Sequence, residues 1–328
     1  MNSGRKVLFI LNPAAGAGRA RTTAVAAVNP LQAAGFSVCV QETAGAGDAT
    51  RFAAEAAASG TFGMVAAAGG DGTAREVCSG VLGSVNPNQT VLLVPLGTGN
   101  DFAHIAGTGT VAAAVHAAAH GTTRALDAIE VGCVVEGRRM VTHACCFAAV
   151  GLAADVVRLT TPAVKRLFGP RLCYSVGFFR ALRRHRPVAA RIEADGQRQA
   201  GDYLLICAGN TDRAGGRMMH LSPGALPDDG ELDLSLLRAT GRLEIALQFL
   251  RLLRGTHVRH RRATYFRARD IVVDTTAPAD VQLDGDCVGT TPARFTVRRG
   301  ALRVRIAAKA CSESAPMARH SGVRSFGV

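Results

Sequence analysis

In the first third of the chain, short apolar runs alternate with glycine-rich turns and alanine-rich stretches. Lys6–Leu11 (KVLFIL) is a short apolar run stopped by Asn12-Pro13, which predicts a buried strand leading into a turn. Residues 19–34 are Ala-rich and helix-compatible until Gly35, and Phe36–Gln41 alternates as a strand does. A helical stretch opens at Asp48 and runs to about Ser59, before Gly60. Met64–Ala68 predicts a strand ending in Gly69-Gly70-Asp71-Gly72-Thr73, followed by a helix over Ala74–Leu82. Thr90–Val94 predicts a further strand, stopped by Pro95, and Val111–His120 a further helix. Strand, glycine turn and helix in repetition imply βαβ units and a mostly parallel sheet, in which ligands bind at the carboxyl ends of the strands.

Beyond about residue 128 the texture changes. Strand candidates dominate: Ala128–Val135, Met140–Ala149, Ala189–Ala194, Tyr203–Ala208, Leu232–Leu237, Asp270–Thr275, Arg294–Val297 and Leu302–Ala307. Short turns such as Glu136-Gly137 and Asp195-Gly196 separate many of them, which predicts an antiparallel β domain. Two basic segments interrupt it, Lys165–Arg186 and Arg242–Arg262; in the second, Leu243, Leu247, Leu250 and Leu253 fall near one helical face. The expected organisation is an α/β domain over 1–128, an all-β domain over 129–308 and a disordered tail over 309–328.

Charge sharpens this division. The net charge is +13, yet the seven basic and seven acidic side chains of residues 1–128 cancel, so the whole excess lies in residues 129–328. A positive half beside a neutral half fits an anionic surface or substrate, although only three of the 38 cations are Lys and Arg is simply the favoured cation here. The apolar run near the start is too short for a secretory signal, and the longest uncharged stretch, Thr142–Ala154, falls short of the ~20 residues of a spanning helix. The nine cysteines are scattered without a C-x-x-C, and Cys39, Cys145, Cys146 and Cys207 sit in apolar, strand-like segments. They read as small buried hydrophobes in a reducing cytosol, not as a disulfide or zinc framework.

The chain lacks G-x-x-x-x-G-K-[ST], a complete G-x-G-x-x-G, G-x-S-x-G and H-E-x-x-H. His116 and His120 stand four apart on an Ala-rich helix without a third ligand nearby, and so read as solvated or packed. Three turns carry the chemistry instead: Asn12–Gly18 (NPAAGAG), Gly69–Thr73 (GGDGT) and Pro95–Asp101 (PLGTGND), each following an apolar strand. Glycines let the backbone approach a ligand, and exposed amides at a helix start bind phosphate without a Lys. Thr73 and Thr98 add hydroxyl donors. Asp71 would repel phosphate unless a cation lay between, and Mg²⁺ is the natural choice.

On these motifs the sequence resembles the diacylglycerol kinase catalytic-domain family, in particular the soluble bacterial lipid kinases. The resemblance covers about residues 5–306: NPAAGAG, GGDGT, PLGTGNDFA (95–103), FAAVGLAADV (147–156), GNTDRAGGRMMHLSPGALPDDGELDL (209–234) and LDGD (283–286). GGDGT is shared with NAD kinases and phosphofructokinases, whereas PLGTGNDFA is much more specific. The resemblance implies a doubly wound, NAD-kinase-like nucleotide domain followed by a β-sandwich-like domain. It implies transfer of the γ-phosphate of ATP to a lipid hydroxyl, diacylglycerol first, with phosphatidylglycerol or a long-chain base as alternatives. Nucleotide contacts carry over to Asn12, Gly16, Thr43, Gly69, Gly70, Asp71, Gly72, Thr73 and Thr98; a structural Mg²⁺ site carries over to Asp229 with backbone oxygens at Leu226 and Glu231. The catalytic base carries over to Asp286, with Asp284 as the alternative.

Three positions depart from the family pattern: Arg75 where most relatives have Asn, Ala17 where a basic residue is common, and Asp286 where Glu is frequent. Arg75 either touches phosphate or pairs with a neighbour. Read without the resemblance, Asp284-Gly285 and Asp228-Asp229-Gly230 are ordinary turn chemistry. Rival readings are an NAD kinase, a nucleic-acid-binding protein suggested by the basic charge, and a lipid-binding module without catalysis. Nucleic acid is disfavoured because aromatics are only 5% and no recognition module is visible. The expected setting is the cytoplasm, docked peripherally on an anionic membrane surface; the oligomeric state stays open, a homo-oligomer included.

Overall fold

The structure is a computed structural model that describes residues 3–184 and 186–307; the tail expected over 309–328 lies outside the described residues. Strands β1 (Lys6–Leu11), β2 (Ser37–Glu42), β3 (Met64–Gly69) and β4 (Thr90–Pro95) form a parallel sheet in the order β2–β1–β3–β4. Five helices surround it: α1 (Ala20–Ala33), α2 (Asp48–Ser59), α3 (Asp71–Leu82), α4 (Asp101–Ile105) and α5 (Val111–His120). Val7, Phe9 and Leu11 face Ala24, Ala27 and Leu31 of α1 and Ala114 and Ala118 of α5. Leu8 and Ile10 point the other way, onto Phe52 and Ala53 of α2 and Val77 and Cys78 of α3. A strand covered on both faces has no polar side, which is why β1 reads as a continuous apolar run.

The second part is antiparallel. It comprises β5 (Thr122–Val135), β6 (Arg138–Ala144), β7 (Phe147–Gly151), α6 (Leu152–Leu159), α7 (Pro162–Arg184), β8 (Val188–Ala194) and β9 (Gln197–Gly209). A small hairpin of β10 (Arg213–Ala214) and β11 (Met219–His220) follows, then β12 (Leu232–Arg238) and α8 (Arg242–Leu253). The chain ends with β13 (Ala263–Ala268), β14 (Asp270–Thr275), β15 (Asp280–Leu283) and β16 (Asp286–Ile306). Two long strands close the layers. The first half of β9 pairs with β8 and its second half with β7 and β12, while β16 pairs with β15, β14 and β5. The circuit β16–β14–β8–β9–β7–β15 therefore returns to β16 and encloses a core that includes Ile206, Ile271, Val273, Leu283 and Phe295. The end of β16 then reaches the first sheet, with Val304 opposite Val91 of β4 in parallel.

Several elements differ from the sequence reading. Met140–Ala149 is two strands broken at Cys145-Cys146, and the two last predicted strands are one, β16. β5 starts at Thr122 and runs unbroken across residue 128. β13 and β15 had no separate signal: β15 is only four residues long and β13 carries polar residues on a half-exposed surface. The glycine turns also continue into helix, since Asp71 is the first residue of α3 and Asp101 the first of α4. Cys39 is exposed on the edge strand β2, whereas Cys145, Cys146 and Cys207 are buried, and none of the eight described cysteines is in a disulfide. The basic segments form α7, which breaks at Gly169 (φ 69°), and α8.

Phe295 is fully buried inside the strand circuit. Phe295→Ala is expected to cost about 3–5 kcal/mol, read as a lowered urea midpoint with an unchanged slope.

Candidate active site

The three glycine turns meet because their strands, β1, β3 and β4, are neighbours that end at the same edge. Asn12 N–H donates to the Ala68 carbonyl (2.9 Å) and Leu96 N–H to the Gly69 carbonyl (2.8 Å), which ties each turn to the next. The Asn12 amide donates to Thr73 Oγ1 at 3.1 Å. Thr43 joins the edge through its N–H on the Leu11 carbonyl (2.9 Å), while Thr98 is exposed at the tip of its turn. The backbones approach so closely that a Cβ at Gly97 would lie 2.3 Å from Gly70 Cα, and one at Gly16 2.7 Å from the Leu96 carbonyl oxygen. Glycine is required at 97 by that contact. The expected nucleotide set is thus brought to one edge, with the amides of residues 70–73 opening α3.

Carboxylates gather beside it. Asp71 Oδ1 accepts the Phe102 N–H (3.3 Å) at the start of α4. Asp101 accepts the amides of Gly216 (3.2 Å) and Arg217 (2.8 Å) from the β10–β11 turn. Asp284 is half-buried and accepts three successive amides, from Cys145 (2.6 Å), Cys146 (2.8 Å) and Phe147 (2.8 Å). Burial, and then the neighbouring carboxylates of Asp101 and Asp284, push the Asp71 carboxyl up to about 7. Burial also raises Asp101 and Asp284, against the amides that favour their ionised forms. Desolvated acids this close together suit a divalent cation.

Asp286 is placed differently from Asp284. Its side chain is 50% exposed and pairs with Arg75 at 3.3 Å. A Cβ on Gly72 would sit 2.6 Å from Asp286 Oδ2, so this carboxylate stands directly over the GGDGT turn. Of the two readings of Arg75, the structure shows the neighbour pairing.

The third expected set is separate. Asp229 accepts the Glu231 N–H (3.1 Å), and its Oδ2 is buried without a hydrogen bond, which fits a cation ligand. Arg267 stands 3.7 Å from that oxygen and also pairs with Glu231 (3.2 Å), so the Glu231 side chain is engaged and its backbone oxygen is what remains for a metal. Leu226 lies three residues before Asp229 in the same half-buried loop. Among the described residues no cluster of three or more His, Cys, Asp or Glu side chains forms a metal cage. The loop is tied to the site through Asn210, which the motif 209–234 contains. The Asn210 amide donates to the carbonyls of Asp127 (3.0 Å) and Cys145 (2.8 Å), and Asp127 accepts the Gly230 N–H (2.7 Å).

Beside the carboxylates opens a cavity with a wide mouth. Asp71, Asp101 and Asp284 close one end, and the walls are apolar, among them Leu152, Val156, Phe178, Leu205 and Phe249. Tyr174 of α7 projects into the carboxylate end, its hydroxyl 3.9 Å from where a Cβ on Gly285 would lie, and burial raises its pKa first, then the charge of Asp71. Sequence reasoning missed Tyr174 and the cavity; the apolar stripes of α7 and α8 were the available signal, but nothing local said which way they faced.

The diacylglycerol kinase catalytic-domain description matches residues 6–131, and the YegS C-terminal NAD kinase β-sandwich-like domain matches residues 147–306. A Pseudomonas fluorescens protein named "Probable lipid kinase YegS-like" is 35% identical over 309 residues, covering 93% of this chain and 96% of the relative. The chain belongs to the diacylglycerol kinase family. A Bacillus subtilis diacylglycerol kinase is 28% identical, covering 89% of this chain and 93% of its own length. A crystal structure of a diacylglycerol kinase from Bacillus anthracis str. Sterne has a TM-score of 0.67 at 23% identity over 92% of this chain and 97% of that one, a likeness of fold. This member of the family is accordingly a diacylglycerol kinase-like lipid kinase, with a diacylglycerol kinase catalytic domain first and an NAD kinase β-sandwich-like domain second.

The Asp71 shift has a measurable consequence. Its folded pKa is raised above the unfolded value near 4, so its contribution to stability is full below about pH 4 and is lost as pH rises through about 7. Asp71→Asn lacks this loss and keeps an oxygen for the Phe102 amide. In thermal melts the variant should gain on wild type between about pH 4 and 7 and melt higher at pH 8. Mg²⁺ at pH 8 should raise the midpoint of wild type more than that of the variant.

Proposed function

We propose that the chain transfers the γ-phosphate of ATP to the hydroxyl of a membrane lipid, with diacylglycerol as acceptor and phosphatidic acid as product. The observation that carries this reading is the apolar cavity ending at Asp71, Asp101 and Asp284, beside the glycine turns. A lipid tail fills such a chamber, whereas the soluble acceptor of an NAD kinase would leave its walls unsatisfied. In this reading residues 1–128 carry the nucleotide and residues 129–308 the lipid.

Asn12, Gly16, Thr43, the Gly69–Thr73 turn and Thr98 hold the nucleotide, whose phosphates lie on the amides that open α3. A divalent cation, when bound, neutralises phosphate charge; Asp71 with Asp101 would hold it. Asp229, with the backbone oxygens of Leu226 and Glu231, would hold a second, structural one. The lipid hydroxyl enters from the cavity end, and the carboxylate of Asp286 over Gly72 takes its proton as the lipid O–Pγ bond forms and the Pγ–O bond to the departing ADP breaks. Asp284 is a poor base by comparison, since its oxygens are committed to three amides.

The roof of the cavity supports peripheral docking from the cytoplasmic side. In α8, Ile245, Gln248 and Phe249 are buried while Leu243 (78%), Leu247 (49%) and Leu250 (52%) are exposed. In α7, Leu167 (77%), Phe168 (40%) and Phe179 (54%) are exposed beside the exposed Arg180, Arg183 and Arg184. Exposed apolar groups flanked by Arg suit an interface between acyl chains and lipid phosphates. Among the described residues no helix is long and apolar enough to cross a membrane.

ATP consumption with diacylglycerol in micelles, with NAD, and with neither tests the reaction; turnover with NAD and none with lipid overturns it. Mass spectrometry of the product formed from a total lipid extract separates diacylglycerol from phosphatidylglycerol and long-chain bases. Asp286→Asn should lower kcat by ~10²–10⁴ with ATP affinity little changed. Asp284→Asn should instead lower the melting temperature, because an amide side chain cannot accept from all three backbone N–H groups. If Asp284→Asn is stable and carries the kinetic loss, the base is misassigned.

For docking, the Arg180/Arg183/Arg184→Glu triple variant should lose roughly 3 kcal/mol of binding to anionic liposomes, about two decades, in co-sedimentation at low salt. Wild-type binding should fall at high salt. Binding indifferent to lipid charge, salt and the triple change would overturn electrostatic docking and leave the kinase reading standing.

A further inference from the structure

Apart from the carboxylates, Tyr174 and Gln282, which accepts the Gly285 N–H, two polar side chains interrupt the apolar wall of the cavity: Gln248 on α8 and His257 in the turn that follows it. Gln248 is 3% exposed and His257 1% exposed. Neither atom of the Gln248 amide makes a hydrogen bond to the protein, and no well-formed bond reaches either ring nitrogen of His257, whose nearest protein acceptor is the Leu221 carbonyl. Burial drives the His257 pKa down to about 4, so the ring is neutral near pH 7. The Leu221 carbonyl lies beside it and favours N–H on one ring nitrogen, leaving the other as an acceptor.

Folding gives no reason for these residues. The buried face of α8 runs Ile245, Gln248, Phe249 and partly buried Leu252, a spacing that a Leu at 248 would complete. Unpartnered amide and imidazole groups in an apolar chamber oppose folding. What fills the cavity can supply the partners they lack. One turn of α7 (about 6 Å) separates Tyr174, at the carboxylate end, from Phe178, whose ring stacks on Phe249 beside Gln248 at 4.1 Å between centroids. The reacting hydroxyl and the polar pair are thus met by different parts of one ligand.

We infer that Gln248 and His257 form a specificity site that hydrogen-bonds an oxygen function of the acceptor lipid other than its reacting hydroxyl, an acyl-ester carbonyl or a chain hydroxyl. The inference rests on the lipid-acceptor reading above and names the feature by which that acceptor is chosen. Gln248 offers both a donor and an acceptor and His257 one of each, so either oxygen function can be matched.

The probes are dioleoylglycerol, its dialkyl ether analogue, and a diacylglycerol with a 3-hydroxyacyl chain. Each is titrated in detergent micelles into the full chain by calorimetry, then compared by kcat/KM. Wild type should prefer an oxygen-bearing lipid by about 5–10-fold per hydrogen bond. Diester over diether identifies the carbonyl; hydroxyacyl over plain acyl identifies the hydroxyl. Gln248→Leu and His257→Phe should erase the preference, chiefly through KM, while the melting temperature holds or rises because unpartnered polar groups are gone. Should His257→Phe not fold, Gln248→Leu alone decides. Equal binding of all three lipids by wild type, or a preference retained in the variants, overturns the site. If wild type binds with the preference but phosphorylates none of the lipids, the kinase reading falls and the binding site stands.

Discussion

The half-buried Asp284 carboxylate is the acceptor for three consecutive backbone amides, Cys145 through Phe147. Those amides lie where the chain leaves β6 and enters β7, a corner at which no neighbouring strand can take them. Without Asp284 they would be orphaned inside the protein, at a cost of about 1–3 kcal/mol each. The same residue has a positive φ of 50° and turns the chain between β15 and β16, so that Asp286 emerges over Gly72. One interaction thus shapes the β6–β7 corner, seals one end of the cavity and aims a second carboxylate. Asn210 extends it, bridging the Cys145 carbonyl to Asp127, which in turn holds the Gly230 and Gly300 amides.

Concentrating Asp71, Asp101 and Asp284 at the closed end of an apolar chamber works against the stability of the ligand-free protein. The fold offsets this with oriented backbone dipoles and not with buried cations: Phe102 N–H for Asp71, Gly216 and Arg217 N–H for Asp101. The one nearby cation with a described pairing, Arg75, goes to the more exposed Asp286. Amides leave the negative charge available to a metal ion, where a buried Arg pair would cancel it.

Helices α7 and α8 serve two environments at once. Their inner faces, joined by the Phe178–Phe249 stack, line the cavity, and their outer faces expose Leu and Phe side chains among arginines. A helix apolar on more than one face is not stabilised by water on its outer side; under the docking proposed above, a bilayer surface would supply the missing contact. The break at Gly169 divides α7, so its two pieces need not share one axis.

Local pattern determined a large part of this protein. The bounds of β1, α2, α5 and β14 follow from apolar runs and their glycine or proline stops, because those signals lie within a few residues of the element they define. The glycine turns were legible for the same reason: strand ends whose backbones approach each other this closely need glycine in place. Tertiary structure decided what depends on residues far apart in the chain. Met140–Ala149 had to break because Asp284 takes its amides, and the last two strand segments fuse because β5 pairs along both. Asp284 and Asp286 are two residues apart with the same side chain, and only their surroundings separate them: one is sealed by three amides, the other half-exposed over Gly72 and paired with Arg75. Nor could the sequence place Gln248 and His257 in one cavity, since burial without a partner is a property of the assembled fold and not of any local pattern.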